Sequence, residues 1–175
     1  MADLEYSLAL GGFVLSGTVD SATAKVTPQA GDNLFIRQTG TVTLTSNIAG
    51  LSLTIGGLTG QHPVVNLPEG AVFAGDVKVL RGGRLSLGTN LAHPNANAPA
   101  RLGADLTVEN GGVVTIVDGQ IAGTLTPTGT VDIRNNATLT ASAHLALASR
   151  SMPLGLTSQA TGTLSIAGTL DTGTL

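Results

Sequence analysis

The chain has 175 residues, enough for one domain, with 42% apolar residues but only 2% aromatic and no Trp. Charged residues are 11%, against ~25% in an average domain, and the net charge is −3 from 8 basic and 11 acidic residues. With only two lysines, Lys25 and Lys78, and scattered arginines there is no basic patch for a polyanion, which argues against nucleic-acid binding. The absence of cysteine excludes disulfides and thiolate metal sites. The N-terminus has no basic region ahead of its short apolar run at 8–15, so neither a signal peptide nor a membrane span is expected. A core of Val, Leu, Ile and Ala is thin and regular. The 24 glycines fit strands separated by tight turns.

Residues 1–33 differ in texture from the rest and are expected to form a β-rich cap or attachment segment. Two strands are expected there, over Tyr6 to Leu15 and over Thr18 to Thr27. From Leu34 the alternation is stronger: Phe35–Arg37, Thr41–Thr45, Leu51–Ile55 and Val64–Leu67 read as strands with one face buried. Glu69-Gly70 reads as a turn. Three stretches then repeat one pattern. Val77–Leu87, Leu106–Ile116 and Val131–Ala141 each carry an apolar-polar-apolar triplet, a five-residue turn and a second triplet. Their starts are 29 and 25 positions apart, a period typical of stacked repeats. The 89–100 segment, with Pro94, Pro99 and three asparagines, is an inserted loop. Gln120–Leu125 reads as one more strand ended by Pro127. Ala143–Ser149 is a strand or a helical turn, and 162–175 is strand-like with an uncapped end at Leu175.

Two folds can write this pattern. In an antiparallel sandwich or jelly roll each unit is a hairpin. A three-residue loop at Asn110-Gly111-Gly112 would pair Val108 with Val114 and Leu106 with Ile116. Such a loop needs a left-handed last residue, supplied by Gly83 and Gly112 but not by Ala137, where the strain is ~1 kcal/mol or more. In a parallel β-solenoid the units stack about 4.8 Å apart. Asn110, Asn135 and Asn136 then sit at turns, and Glu109 lies against Arg134 as an exposed ion pair worth at most ~1 kcal/mol. The solenoid uses the residues more uniformly. The expected fold is therefore all-β: a cap over 1–33 and a short parallel solenoid over 34–175, interrupted at 89–100.

At these residues the chain resembles right-handed parallel β-helices. The texture of Leu106–Ile116, of Gly123-Thr124-Leu125 and of 162–175 is similar to autotransporter passenger repeats and to phage spike or fibre shafts. Autotransporters carry a signal peptide and a translocating barrel; phage virion proteins need neither. The resemblance thus implies a non-enzymatic structural protein of a virus particle, a bacteriophage capsid decoration or head-spike protein. A tail-fibre segment or a carbohydrate-binding adhesin is the alternative. It implies a homo-oligomer, a trimer, bound to the major capsid or another virion protein, with no membrane partner and no cofactor.

The chemistry-bearing residues are few. Asp76 and Asp105 precede equivalent triplets and would be neighbours on a stack, a candidate acid pair or cation site. The third unit has Thr130 there, so the row is expected to stop, and two solvated turn carboxylates are the plainer account. His62, His93 and His144 share no metal-ligand spacing. No serine lies in a Gly-x-Ser-x-Gly context, and no glycine pair leads into Gly-Lys-Ser/Thr. No catalytic or metal residue is expected. Residues expected to serve attachment or assembly are Tyr6, Phe13, Phe35, the loop residue His93 and Leu175.

Overall fold

The computed structural model describes residues 1–45, 47–88, 100–117, 119–123 and, beyond these, the strands that follow. The described residues form strands, turns and bends, with no helix among them. In chain order the strands are β1 (Asp3–Ser7), β2 (Gly12–Leu15), β3 (Asn33–Ile36), β4 (Gly40–Thr43), β5 (Ser52–Ile55), β6 (Pro63–Leu67), β7 (Val72–Phe73), β8 (Asp76–Val79), β9 (Arg84–Leu87) and β10 (Ala100–Leu102). They continue as β11 (Leu106–Val108), β12 (Val113–Ile116), β13 (Gly119–Ile121), β14 (Leu125–Pro127), β15 (Thr130–Ile133), β16 (Thr138–Ala141), β17 (Leu145–Ala146), β18 (Leu156–Ser158), β19 (Thr163–Ile166) and β20 (Leu170–Asp171).

They are shared among three sheets. The first runs β2-β1-β3-β5-β8-β11-β14-β17-β20, the second β18-β15-β12-β9-β6-β4 and the third β19-β16-β13-β10-β7. From β5 onward successive strands visit the first, second and third sheet in rotation. The pairs are parallel throughout, except that β2 folds back antiparallel on β1. Parallel sheets need crossovers that leave the sheet and return, and here the other two sheets serve as the crossover.

Alternation explains which side of each strand is buried. Inward positions of the first sheet form a row Leu4, Leu34, Leu53, Val77, Leu106 and Leu125, all buried. Ile36, Ile55, Val79 and Val108 form a second row. Val42, Val65, Leu85, Val114 and Val131 do the same in the second sheet, and Phe73, Leu102 and Ile121 in the third. These side chains form one continuous cluster. Each contributes about 1.5–3 kcal/mol relative to exposure. Because equivalent positions hold residues of similar size, the core needs few rings.

The two triplets of a repeat do not pair with each other. Leu106–Val108 pairs with Val77–Val79 on one side and Leu125–Pro127 on the other, while Val113–Ile116 pairs with Arg84–Leu87 and Thr130–Ile133. The pairing of Val108 with Val114 that a hairpin requires is absent from this register. The corner between the triplets is a tight turn closed by Gly112 N–H donating to Glu109 O at 2.8 Å, and Gly83 N–H to Leu80 O at 2.9 Å in the rung before. The third residue of each turn is left-handed, Gly111 at φ 83° and Gly82 at φ 80°, as such a turn demands. The left-handed residue is thus the first glycine of each pair, not Gly83 or Gly112 as a hairpin loop would have it. Gly112 is glycine for another reason. A Cβ there would be driven against the Val79 carbonyl oxygen of the preceding rung, and at Gly83 against that of Ile55.

Several sequence expectations change. The third repeat is shifted by one sheet: Val131 pairs with Val114, not with the Leu106 row. Thr130 pairs with Val113, so it does not continue the Asp76–Asp105 row, and the alignment that set Glu109 against Arg134 is lost. Arg134, Asn135, Asn136 and Ala137 lie outside the described residues. Thr18–Thr27 is not a strand but a series of turns, with Ala22 N–H donating to Thr18 O at 2.7 Å. Gln120–Leu125 spans two strands in different sheets, and Pro127 ends β14 from within it, opposite Val108. Val72–Phe73 and Ala100–Leu102, not anticipated, supply the third sheet. Residues 89–99 of the expected loop are outside the described residues, and Ala100 already belongs to β10.

Candidate functional site

A sheet must end in an edge strand, which leaves a row of backbone groups unpaired unless something covers it. At the N-terminal end β1 extends the first sheet parallel to β3, and β2 covers β1 in a register that sets Tyr6 opposite Phe13. Their rings meet edge to face, centroids 5.2 Å apart at 90°, the favoured geometry for aromatic pairs. Phe13 is buried in the core and Tyr6 packs partly buried against it. Two of the rings expected to serve attachment therefore close the core, and Phe13 offers no surface.

The outer edge of β2 is covered by the following segment. Phe13 O accepts from Val26 N–H at 2.7 Å, and Leu15 O accepts from the Thr18 amide at 3.1 Å and its hydroxyl at 2.7 Å. The Lys25 stem lies against Gly12, where a Cβ would come within 2.6 Å of it. Asp32 fastens the return. Its carboxylate accepts from Ala2 N–H at 2.7 Å and Gln29 N–H at 3.0 Å, with the Met1 ammonium 4.0 Å away.

Those amides, Ala2's first and Gln29's second, hold the Asp32 carboxyl below its ordinary 3.8. A carboxyl with a depressed folded value stabilises fully above its unfolded value and loses that contribution as pH falls through the folded one. The melting temperature of Asp32→Ala should therefore lie below that of wild type at neutral pH. The gap should close as pH falls below about 3.8. Thermal scans of both proteins against pH check this; a gap that persists unchanged in acid contradicts it.

Phe35 lies on the outward side of the first sheet, paired with Glu5. The Arg37 guanidinium sits 4.1 Å from the Phe35 ring centroid and 3.7 Å from the Glu5 carboxylate. The stack and the ion pair explain how Glu5 is tolerated while buried. Sequence reading singled out Phe35 alone; Arg37, two positions on and so on the same side of the chain, was the missed signal.

Asp76 and Asp105 are neighbours, as their equal positions implied, since Val77 pairs with Leu106. The row they belong to runs the other way from the one expected: Asp3, Asn33, Ser52, Asp76, Asp105. Asn33 Nδ2 donates to Asp3 Oδ1 at 2.8 Å, Ser52 Oγ donates to Asn33 Oδ1 at 3.0 Å, and Asp105 N–H donates to Asp76 Oδ1 at 3.2 Å. Both carboxylates are exposed. Asp76 is thus a backbone acceptor in a polar ladder. No group of three or more His, Asp or Glu side chains suited to a metal occurs among the described residues.

His62 is exposed in the corner after β5. His93, His144 and Leu175 lie outside the described residues. No protein-family model, no curated protein and no solved structure matches the chain.

Proposed function

We propose that the three sheets wind as a short right-handed parallel β-solenoid and that the chain is a structural, non-enzymatic component of a virus particle, a bacteriophage capsid decoration or head-spike protein. The observation that carries this is the rotation of strands through three parallel sheets around one aliphatic cluster. Strand-to-strand crossovers of this kind are right-handed almost without exception. A stack of that kind is a rigid stub whose residues are committed to shape.

The outward rows support assembly with other chains. On the second sheet they read Thr41, Val64, Arg84, Val113, Thr130 and Thr43, Asn66, Ser86, Thr115, Asp132, with one charged residue in each row. Flat faces of small polar and β-branched residues suit side-by-side packing, and a trimer about the long axis is the proposed state. Attachment to the capsid falls to the N-terminal end, where Leu8, Leu15 and Val26 remain exposed around the closed core.

Immunogold labelling of phage particles with an antibody to the purified chain tests this. Gold on particle heads is expected. Gold confined to cell envelopes would retire the virion role in favour of an adhesin. Sedimentation equilibrium of the purified chain should give a trimer, and a clean monomer at micromolar concentration removes the oligomer.

A further inference from the structure

We propose that the corner at residues 56–62 binds the carboxylate of an acidic sugar, a site independent of the virion role. Most corners between the first and second sheets are short: residues 37–39, 80–83 and 109–112 link β3 to β4, β8 to β9 and β11 to β12. Between β5 and β6 the corner is residues 56–62. Since β6 stays in register with both neighbours, the additional residues must leave the stack. They form a bulge that overhangs Arg81 and Gly82 of the next rung and encloses a cleft of about 270 Å³.

The bulge is held in shape. Gln61 Oε1 accepts from the Thr39 amide at 2.7 Å and from its hydroxyl at 2.8 Å, and His62 N–H donates to Thr39 Oγ1 at 2.9 Å. Gln61 N–H donates to Leu58 O at 3.2 Å, and Gly57 N–H to Arg81 O at 3.1 Å. The bulge is therefore shaped before a ligand arrives, which lowers the ordering cost of binding to that of the exposed Arg81 side chain, whose stem lies against Gly111.

The lining selects the ligand. Arg81 is its one formally charged residue, no acid borders it, and Thr59, Gln61 and His62 add polar groups. Arg81 makes no ion pair among the described residues. A guanidinium matches a carboxylate through two parallel hydrogen bonds. A single positive charge suits a monoanion better than a phosphate ester. Leu58, 48% exposed, borders the cleft with an apolar surface for the C–H face of a ring. The volume is below the ~300–1,000 Å³ of drug-sized pockets and fits about one sugar ring.

The test is an amide chemical-shift titration of the full chain with D-glucuronate, D-glucose and inorganic phosphate. Glucuronate is expected to shift residues 57–62 and 81–82 saturably, with a dissociation constant of roughly a millimolar. Glucose should leave them in place. Arg81→Gln should weaken glucuronate at least tenfold, while Arg101→Gln, on the third sheet, should not. If Arg81→Gln disturbs the fold, His62→Ala gives the second reading, with a several-fold loss and an unchanged spectrum elsewhere. No saturable shift, or an equal response to glucose, overturns the site. An equal response to phosphate reduces it to a simple anion site and overturns the sugar.

Discussion

Gly112→Ala is expected to lower the melting temperature by roughly 6–12 °C, while Gly111→Asn should stay close to wild type. At Gly112 the added Cβ is driven against the Val79 carbonyl oxygen, with Glu109 O at 3.0 Å and the Val79 carbonyl carbon at 3.1 Å. All three are backbone atoms of two neighbouring segments hydrogen-bonded to each other through Glu109 N–H and Val79 O and cannot yield separately, so the cost is about 3 kcal/mol, the upper end of overpacking. At Gly111 the nearest atom is Arg81 Cγ at 2.9 Å, the stem of a flexible exposed side chain. The φ of 83° there is one that asparagine accepts better than other side chains, so the expected cost is within about 1 kcal/mol. In a hairpin Gly112 would instead be the left-handed residue and meet no neighbouring strand, so Gly112→Ala would cost only that backbone strain, about 1 kcal/mol, or roughly 2–4 °C. Thermal melts followed by far-ultraviolet circular dichroism separate the two.

Leu53→Ala should cost about 3 kcal/mol in denaturant unfolding, and Thr54→Ala no more than about 0.5 kcal/mol. Leu53 is fully buried between Leu34 and Val77 on its two neighbouring strands, so its loss leaves a cavity that the fixed spacing of the rungs cannot close. Thr54, the next residue, faces outward between Phe35 and Lys78. A one-residue slip in register would exchange the two results, so the contrast is a check on register as well as on packing. Similar losses at the two positions would contradict the assigned faces.

The strand-turn-strand units were legible because alternation over four residues and a Gly-Gly corner are strong local signals. Their partners were less so. Each circuit of the chain visits three sheets, but the third strand is short and weakly patterned, as in Val72–Phe73, Ala100–Leu102 and Gly119–Ile121. With that strand unseen, a unit of two triplets looked like the whole period. The third unit was then aligned one sheet out of place, although its two triplets do fall within strands, β15 and β16. Ala122-Gly123 carries no strong turn signal, which is why β13 and β14 ran together. At the site level, Asp76 and Asp105 were visible as neighbours because they share residue type and offset. Asp3, Asn33 and Ser52 occupy the same row with different side chains, so only the register reveals them. The ring-bearing N-terminus stood out by composition. Burial decides that Phe13 belongs to the core, and burial follows from which strand β2 covers.

The chain's lack of cysteine allows a direct test of the parallel stack by paired cysteines. Lys78 and Thr107 are register partners on adjacent rungs of the first sheet. Parallel neighbours stand about 4.8 Å apart, within the 4.4–6.8 Å that a disulfide spans. In a hairpin the partner of Thr107 would be Thr115, which here belongs to the second sheet. Under mild oxidation the Lys78→Cys/Thr107→Cys protein should form an intramolecular disulfide in the folded state, and Thr107→Cys/Thr115→Cys should not. Cross-linking of 107 with 115, and its failure between 78 and 107, would contradict the stack.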